Sequence, residues 1–240
     1  AWQELELRIR AWWDGDLDRM TEDELRHPAP VVYGKMARVP RAEFLFLPFP
    51  YVKAGGSESF AEFNCWDTHY INLALLEHDR GDLVSNHIRN QLFMIERFGV
   101  VLNGNRKGYL VRSQTPMLAE SVRAYFARTG DRDLLVQAYP LLKKEYNGYW
   151  MAAHHQTPTG LATNRHLGAT TLRPELAAEA ECTDFSACFD GDIRQCNPIL
   201  TNCALVQFAR HLGWMARELG WPAEADAWDA KAERRATRLR

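Results

Sequence analysis

Residues 76–84, LEHDRGDLV, close one apolar helical pattern, place a glycine in the turn and open a second pattern at once. Residues 127–135, ARTGDRDLL, and 217–225, RELGWPAEA, repeat that design. A join this short sends the second helix back along the first, so each marks an antiparallel helix hairpin and the fold class reads as all-α. Hairpins in series build a solenoid, a bundle or a closed toroid, and the pattern alone fits all three.

Working outward, the periodicity predicts a first amphipathic helix over 2–19, with Trp2, Leu5, Ile9, Trp12 and Trp13 at helical spacing. From Phe60 a second stripe contains Phe60, Phe63, Trp66, Tyr70 and Leu73. Residues 82–98 form a third helix stopping at Gly99, a residue suited to a left-handed cap. Thr115 and Pro116 read as N-cap and first residue of a helix ending at Gly130, and 131–154 as another, kinked or started late at Pro140. Asn197-Pro198 repeats the cap signal before a helix ending at Gly220, and Pro222 opens the last, 222–240. Its basic end, KAERRATRLR, has the spacing of a solvated helix face.

Two stretches break the pattern. Residues 27–57 carry Pro28, Pro30, Pro40, Pro48 and Pro50, yet Phe44, Leu47, Phe49 and Tyr51 are too apolar for a free linker, so an ordered connection is expected. Residues 155–196 have little periodicity, which inside a compact domain marks a functional or disordered segment; Phe185 and Phe189 argue for the former.

The net charge of −2 supplies no basic footprint for nucleic acid or an anionic membrane. No apolar run approaches the ~18 residues of a membrane span. The first residues, AWQELELRIR, lack both an initiator Met and a signal-peptide core, so a processed or fragmentary chain is expected. Five cysteines without a C-x-x-C pair or zinc-site spacing point away from a metal and slightly toward a reducing, cytoplasmic compartment.

Chemistry concentrates in 103–116, NGNRKGYLVRSQTP, where Asn103, Asn105, Arg106, Arg112, Ser113 and Gln114 stand between two apolar helices. Guanidinium forks among amides suit a ligand covered in hydroxyls; a satisfied polar loop is the plain alternative. Asp67, four residues after Phe63 and three before Tyr70, puts a carboxylate beside a buried stripe, where it needs a cation, donors or a ligand. Asp184 sits among aromatics whose desolvation favours a neutral carboxyl, the form a general acid needs, unless it simply caps a short helix starting at Phe185.

Together these stretches resemble the inverting trehalase family. PFPYVKAGG at 48–56 is similar to its P-x-P-Y-V-x-P-G-G, FAEFNCWD at 60–67 to F-x-E-x-Y-x-W-D, and 103–116 to N-G-N-R-x-x-Y-L-x-R-S-Q-P-P almost residue for residue. YPLLKKEYNGYWM at 139–151, RPE at 173–175 and TDFSACF at 183–189 follow in the family's order. The resemblance runs from about Leu47 to at least Phe208 and implies one catalytic domain over 1–240, part of an (α/α)6 toroid, with site-bearing loops at about 44–60, 99–115 and 155–196. It implies hydrolysis of the disaccharide trehalose with inversion, without metal or organic cofactor. By matching position, Phe60, Trp66, Asp67, Asn103, Arg112, Gln114, Arg173 and Glu175 would line the sugar pocket, and Asp184 would be the general acid.

Ser59 stands in place of a sugar-binding Arg, Asn64 in place of a Tyr and Thr183 in place of a Trp, which leaves open a related α-glucoside as substrate. The family's catalytic base, a Glu after a Q-W-D-x-P segment, has no counterpart before Arg240, which leaves open a sugar-binding helical domain without turnover.

Overall fold

The computed structural model describes residues 2–33, 37–55, 60–110, 112–165, 173–184 and 192–240. In chain order it forms α1 (Trp2–Gly15), β1 (Leu17–Asp18), α2 (Glu22–Arg26), β2 (Val31–Tyr33), β3 (Ala37–Val39), β4 (Tyr51–Val52), α3 (Cys65–Glu77), α4 (Gly81–Phe98) and α5 (Leu118–Thr129). Then come α6 (Arg132–Glu145), α7 (Pro174–Cys182), α8 (Ile199–Glu218) and α9 (Pro222–Leu239). Helices α3, α5 and α8 pack side by side, and each is followed or backed by a partner, α4, α6 and α9. The result is an arc of three hairpins in two layers, with Leu75, Val84, Ile88, Leu135, Phe208 and Leu212 buried between them.

The hairpin turns differ in one respect from the sequence reading. Gly130 and Gly220 adopt φ of 67° and 83°, conformations a Cβ disfavours, whereas in LEHDRGDLV the left-handed residue is Asp79 (φ 58°) and Gly81 already belongs to α4. Aspartate tolerates that region better than most side chains, so the glycine is not what makes this turn. Gly99, at φ 84°, stops α4 and turns the chain into the 103–116 loop.

Several predicted boundaries move. Helix α1 ends at Gly15, and its Trp2 is 83% exposed, so its stripe is not buried. Phe60–Asn64 lie outside α3, whose first residue is Cys65. Thr115 does not cap α5: its hydroxyl donates to the Cys182 carbonyl at 2.8 Å, and the helix starts at Leu118. Asp131 caps α6, Pro140 sits inside it without ending it, and the helix runs into one wider turn at Tyr146–Trp150. Asn197 accepts from Thr157 at 2.8 Å, and Pro198 is the residue before α8. The stretch 155–196 is not all irregular, because Pro174, in the first turn where its missing N–H costs nothing, starts α7.

The proline-rich connection is ordered. Strand β1 pairs with β4 and β2 with β3, both antiparallel. Phe44, Leu47 and Tyr51 are buried in the main core, and Asn90 of α4 exchanges two hydrogen bonds with the Phe49 backbone at 3.1 and 3.0 Å. The basic tail is solvated only in part: Arg235 is buried and donates to Oδ1 of Asn202 at 2.7 Å.

Candidate active site

The 103–116 loop divides its polar side chains between two tasks. Asn105 and Ser113 turn inward: Asn105 accepts from the Phe63 N–H at 2.8 Å and donates to the Leu45 carbonyl at 3.3 Å, and the Ser113 hydroxyl donates to the Val101 carbonyl at 2.6 Å. These bonds tie the loop to the segment before α3 and to the 44–47 stretch. The loop backbone also accepts from the first residue of α3, Cys65 N–H to Asn103 O, at 3.1 Å.

With the loop fixed, Gln114 reaches both ways. Its Oε1 accepts from the Trp66 N–H at 3.3 Å, one of the orphan donors in the first turn of α3. Its Nε2 donates to Oδ2 of Asp184 at 2.6 Å. Asp184 itself has a positive φ of 52° just past the end of α7. The α7 end docks on the same loop through Thr115 to Cys182 and through Asn103 Nδ2 to the Ala180 carbonyl at 3.4 Å.

A cavity of about 1020 Å³ opens in front of this assembly, lined by Phe60, Asp67, Asn103, Gln114 and Asp184 among the expected residues. Trp66 and Arg112 lie outside its lining: the Trp66 ring meets Tyr70 edge-on with centroids 6.5 Å apart, and the buried Arg112 guanidinium sits 4.8 Å from the Tyr109 ring centroid. Among the described residues, Nε and Nη1 of Arg112 have no hydrogen-bond partner. Arg173 and Glu175 are also outside the lining and pair with each other at 3.3 Å, with Arg194 at 3.9 Å from Glu175. Ser59, Phe185, Cys188 and Phe189 fall outside the described residues, and so does any short helix starting at Phe185.

Burial pushes the Asp184 carboxyl above the usual aspartate range; hydrogen bonds from Gln114 and Asn103 and the positive charge of Arg112 pull the other way. Asp67 is also raised, first by burial and then by the negative field of Asp184. Both carboxyls line one cavity and both are raised, the kind of perturbation that marks a candidate functional site. Among the described residues, no group of three or more His, Cys, Asp and Glu side chains could hold a metal.

Glu62, Asn64, Tyr109 and the α1 residues Trp12 and Trp13 line the cavity as well. Glu62, buried, pairs with Arg106 at 2.9 Å. Glu62 and Tyr109 stand inside the motifs already quoted, so position within those motifs could have found them. The α1 tryptophans carry no such signal; they arrive because α1 is held at the far end of α3, with Trp13 Nε1 donating to His78 Nδ1 at 2.8 Å.

A helical arc carrying acidic and amide side chains at one cavity is the architecture of helical-toroid glycosidases. The profile of the family described as Trehalase matches residues 31–190, and the chain belongs to that family. It is 32% identical over 143 residues to the cytosolic neutral trehalase of Saccharomyces cerevisiae, a match covering 57% of this chain and 19% of that protein. It is 41% identical over 105 residues to the periplasmic trehalase of Citrobacter koseri, covering 44% and 18%. The solved neutral trehalase Nth1 of S. cerevisiae superposes with a TM-score of 0.71 at 24% identity, over 79% of this chain and 45% of that one. A rhamnosidase of the GH78 family from Bacillus sp. GL1 gives 0.55 at 18% identity. These likenesses establish the fold as all-α and of the helical-toroid class. The chain spans less than a quarter of the length of the curated relatives named here and less than half of the solved trehalase.

Proposed function

We propose that this chain is the acid-bearing part of a glycoside hydrolase that cleaves the α,α-1,1 bond of trehalose to two glucoses with inversion. The observation that carries the reading is Asp184: a carboxyl oriented by Gln114 on the wall of a large cavity. In that role its proton passes to the glycosidic oxygen as the bond breaks. A second carboxylate, roughly 6.5–9.5 Å away, deprotonates the water that attacks the opposite face, and one α- and one β-glucose leave. No described residue is assigned as that base; Asp67, Asn103 and Gln114 are assigned to hydroxyl binding and Phe60 to contact with a sugar-ring face. The N–H groups of buried Arg112 that lack a partner among the described residues also favour a polar ligand nearby. Trp66, Arg173 and Glu175 keep their binding assignment on the resemblance alone.

Asn64 lines the cavity where the resemblance has a Tyr, and this favours a second reading, an inverting hydrolase of another α-glucoside. Competitive hydrolysis of several α-glucosides separates the two. Of the compartments named for the relatives, the unclustered cysteines favour the cytosol.

Proton NMR of trehalose incubated with the chain tests the reading. Early β-glucose with an equal amount of α-glucose is the expected result, and Asp184→Asn should lose at least about 10² in turnover. Sugar binding by calorimetry without any release would favour a binding domain instead, provided the longer reading frame also lacks a C-terminal Glu. Equal turnover in Asp184→Asn would remove the acid assignment.

A further inference from the structure

Behind the cavity wall lies a second carboxylate that the reaction does not use. Glu181 is 1% exposed, and its oxygens accept from the Tyr149 hydroxyl, from Nδ2 of Asn164 at 3.1 Å and from the Arg165 N–H at 3.2 Å. His155 aims Nε2 at the same carboxylate from 3.2 Å while its Nδ1 faces the Tyr149 carbonyl at 2.9 Å. Tyr149 passes the connection on, because its hydroxyl oxygen accepts from the Ser113 N–H at 3.2 Å. Asn164 extends it to α8, where the Thr201 hydroxyl donates to Oδ1 at 2.8 Å.

Two features of this network bear on the site. Ser113 stands between Arg112 and Gln114, so the Tyr149 contact holds the backbone that carries both. Glu181 stands in the last turn of α7, three residues before Asp184, so the same carboxylate holds the element that carries the acid. The Gln114–Asp184 bond therefore has both of its ends anchored, through separate routes, on one buried group.

We infer that Glu181 is a positioning residue, and that its link through Tyr149 to Ser113 sets the register between Gln114 and Asp184. The catalytic part of this inference rests on the hydrolase reading; the geometric part does not. Three donors, the Tyr149 hydroxyl, Asn164 Nδ2 and the Arg165 N–H, converge on Glu181 with His155 Nε2 beside them, and a carboxylate, with acceptor positions on both oxygens, can satisfy them all. A glutamine of the same shape cannot, since its amide nitrogen would face donors. The negative charge of Glu181 also favours the charged form of Arg112, against the larger opposing effect of burial.

The test uses Glu181→Gln and Tyr149→Phe in the intact chain, with amide hydrogen exchange, the titration of the Asp184 carboxyl carbon by NMR, and trehalose kinetics. Tyr149→Phe removes only the hydroxyl link. It should lower protection at the Ser113 amide by about tenfold, leave Arg165 protected, and move the Asp184 midpoint upward as the bonds favouring its ionised form loosen. Glu181→Gln should do the same and expose Arg165 too. On the hydrolase reading, kcat falls by about tenfold with KM little changed. Should Glu181→Gln fail to fold, Tyr149→Phe carries the test. An unchanged Asp184 midpoint in folded Tyr149→Phe, or Ser113 exchange equal to wild type, would overturn the inference. A shifted midpoint in a chain that never releases glucose supports the positioning role and counts against the hydrolase reading instead.

Discussion

Nε2 of Gln114 donates to Oδ2 of Asp184 across 2.6 Å, joining residues 70 positions apart at the wall of the cavity. A donor to a carboxylate favours its ionised form, so this bond opposes the burial that raises Asp184. Gln114→Ala should therefore raise Asp184 further. If the acid acts protonated, the alkaline limb of the pH–rate profile moves to higher pH, while the maximal rate falls by about tenfold because orientation is lost. The titration of the Asp184 carboxyl carbon checks the first part without turnover, and an unmoved midpoint refutes it.

Glu145 accepts from the Val101 N–H at 3.0 Å, and burial pushes its carboxyl up to about 7. A carboxyl raised in the folded state leaves stability fully present below the unfolded value of about 4.3 and erodes it as pH rises toward 7. Glu145→Gln keeps the acceptor and removes the charge. It should be more stable than wild type at pH 8 by up to about 3 kcal/mol, with the gap closing near pH 4. Urea midpoints at the two pH values measure this; a constant gap would contradict it.

His87 behaves in the opposite sense. Its Nε2 accepts from the Val52 N–H at 2.9 Å, its Nδ1 faces Asn72 Oδ1 at 2.7 Å, and burial lowers it to about 3. The stability it protects is complete above the unfolded value of about 6.5 and drains as pH falls toward 3, by up to about 1.4 kcal/mol per unit. His87→Gln should start about 1–3 kcal/mol less stable at pH 7, from imperfect pairing, and lose less than wild type on acidification to pH 4. Parallel curves for the two proteins would refute the assignment.

Asn202 is the joint between α8, α9 and the 155–165 stretch. Its Oδ1 accepts from the Ala162 N–H at 2.8 Å and from Arg235 at 2.7 Å, and its Nδ2 donates to the Ala162 and Pro198 carbonyls, each at 2.9 Å. Asn202→Ala strands the buried Ala162 N–H and takes one acceptor from the buried Arg235 guanidinium, at a cost of about 2–4 kcal/mol. Thermal unfolding gives the number, and a loss under about 0.5 kcal/mol would show that water replaces the amide.

The residues that were legible and those that were not fall on either side of a physical line. The bodies of α4, α5, α8 and α9, and the left-handed glycines at 99, 130 and 220, follow from local sequence because helix hydrogen bonds and backbone sterics act within a few residues. The order of motifs placed Asp184 and the 103–116 loop, and the family followed from it. The division within that loop was not legible. Asn105 and Arg112 are both buried and polar, yet one ties the scaffold through Phe63 and Leu45 and the other keeps N–H groups without a partner among the described residues.

Partnership across long separations decided the rest. Glu181 meets Tyr149 over 32 positions, Gln114 meets Asp184 over 70, and α1 brings Trp12 and Trp13 to a cavity whose other residues start at Asp16 and reach Asp184. By itself the sequence determined the bodies of α4, α5, α8 and α9, the left-handed glycines at 99, 130 and 220 and the inventory of chemical groups, since these depend on neighbours along the chain. Only the tertiary structure decided which carboxylate faces the cavity and which is enclosed by donors behind it, because a side chain's role is set by the donors, charges and burial that folding brings to it from elsewhere.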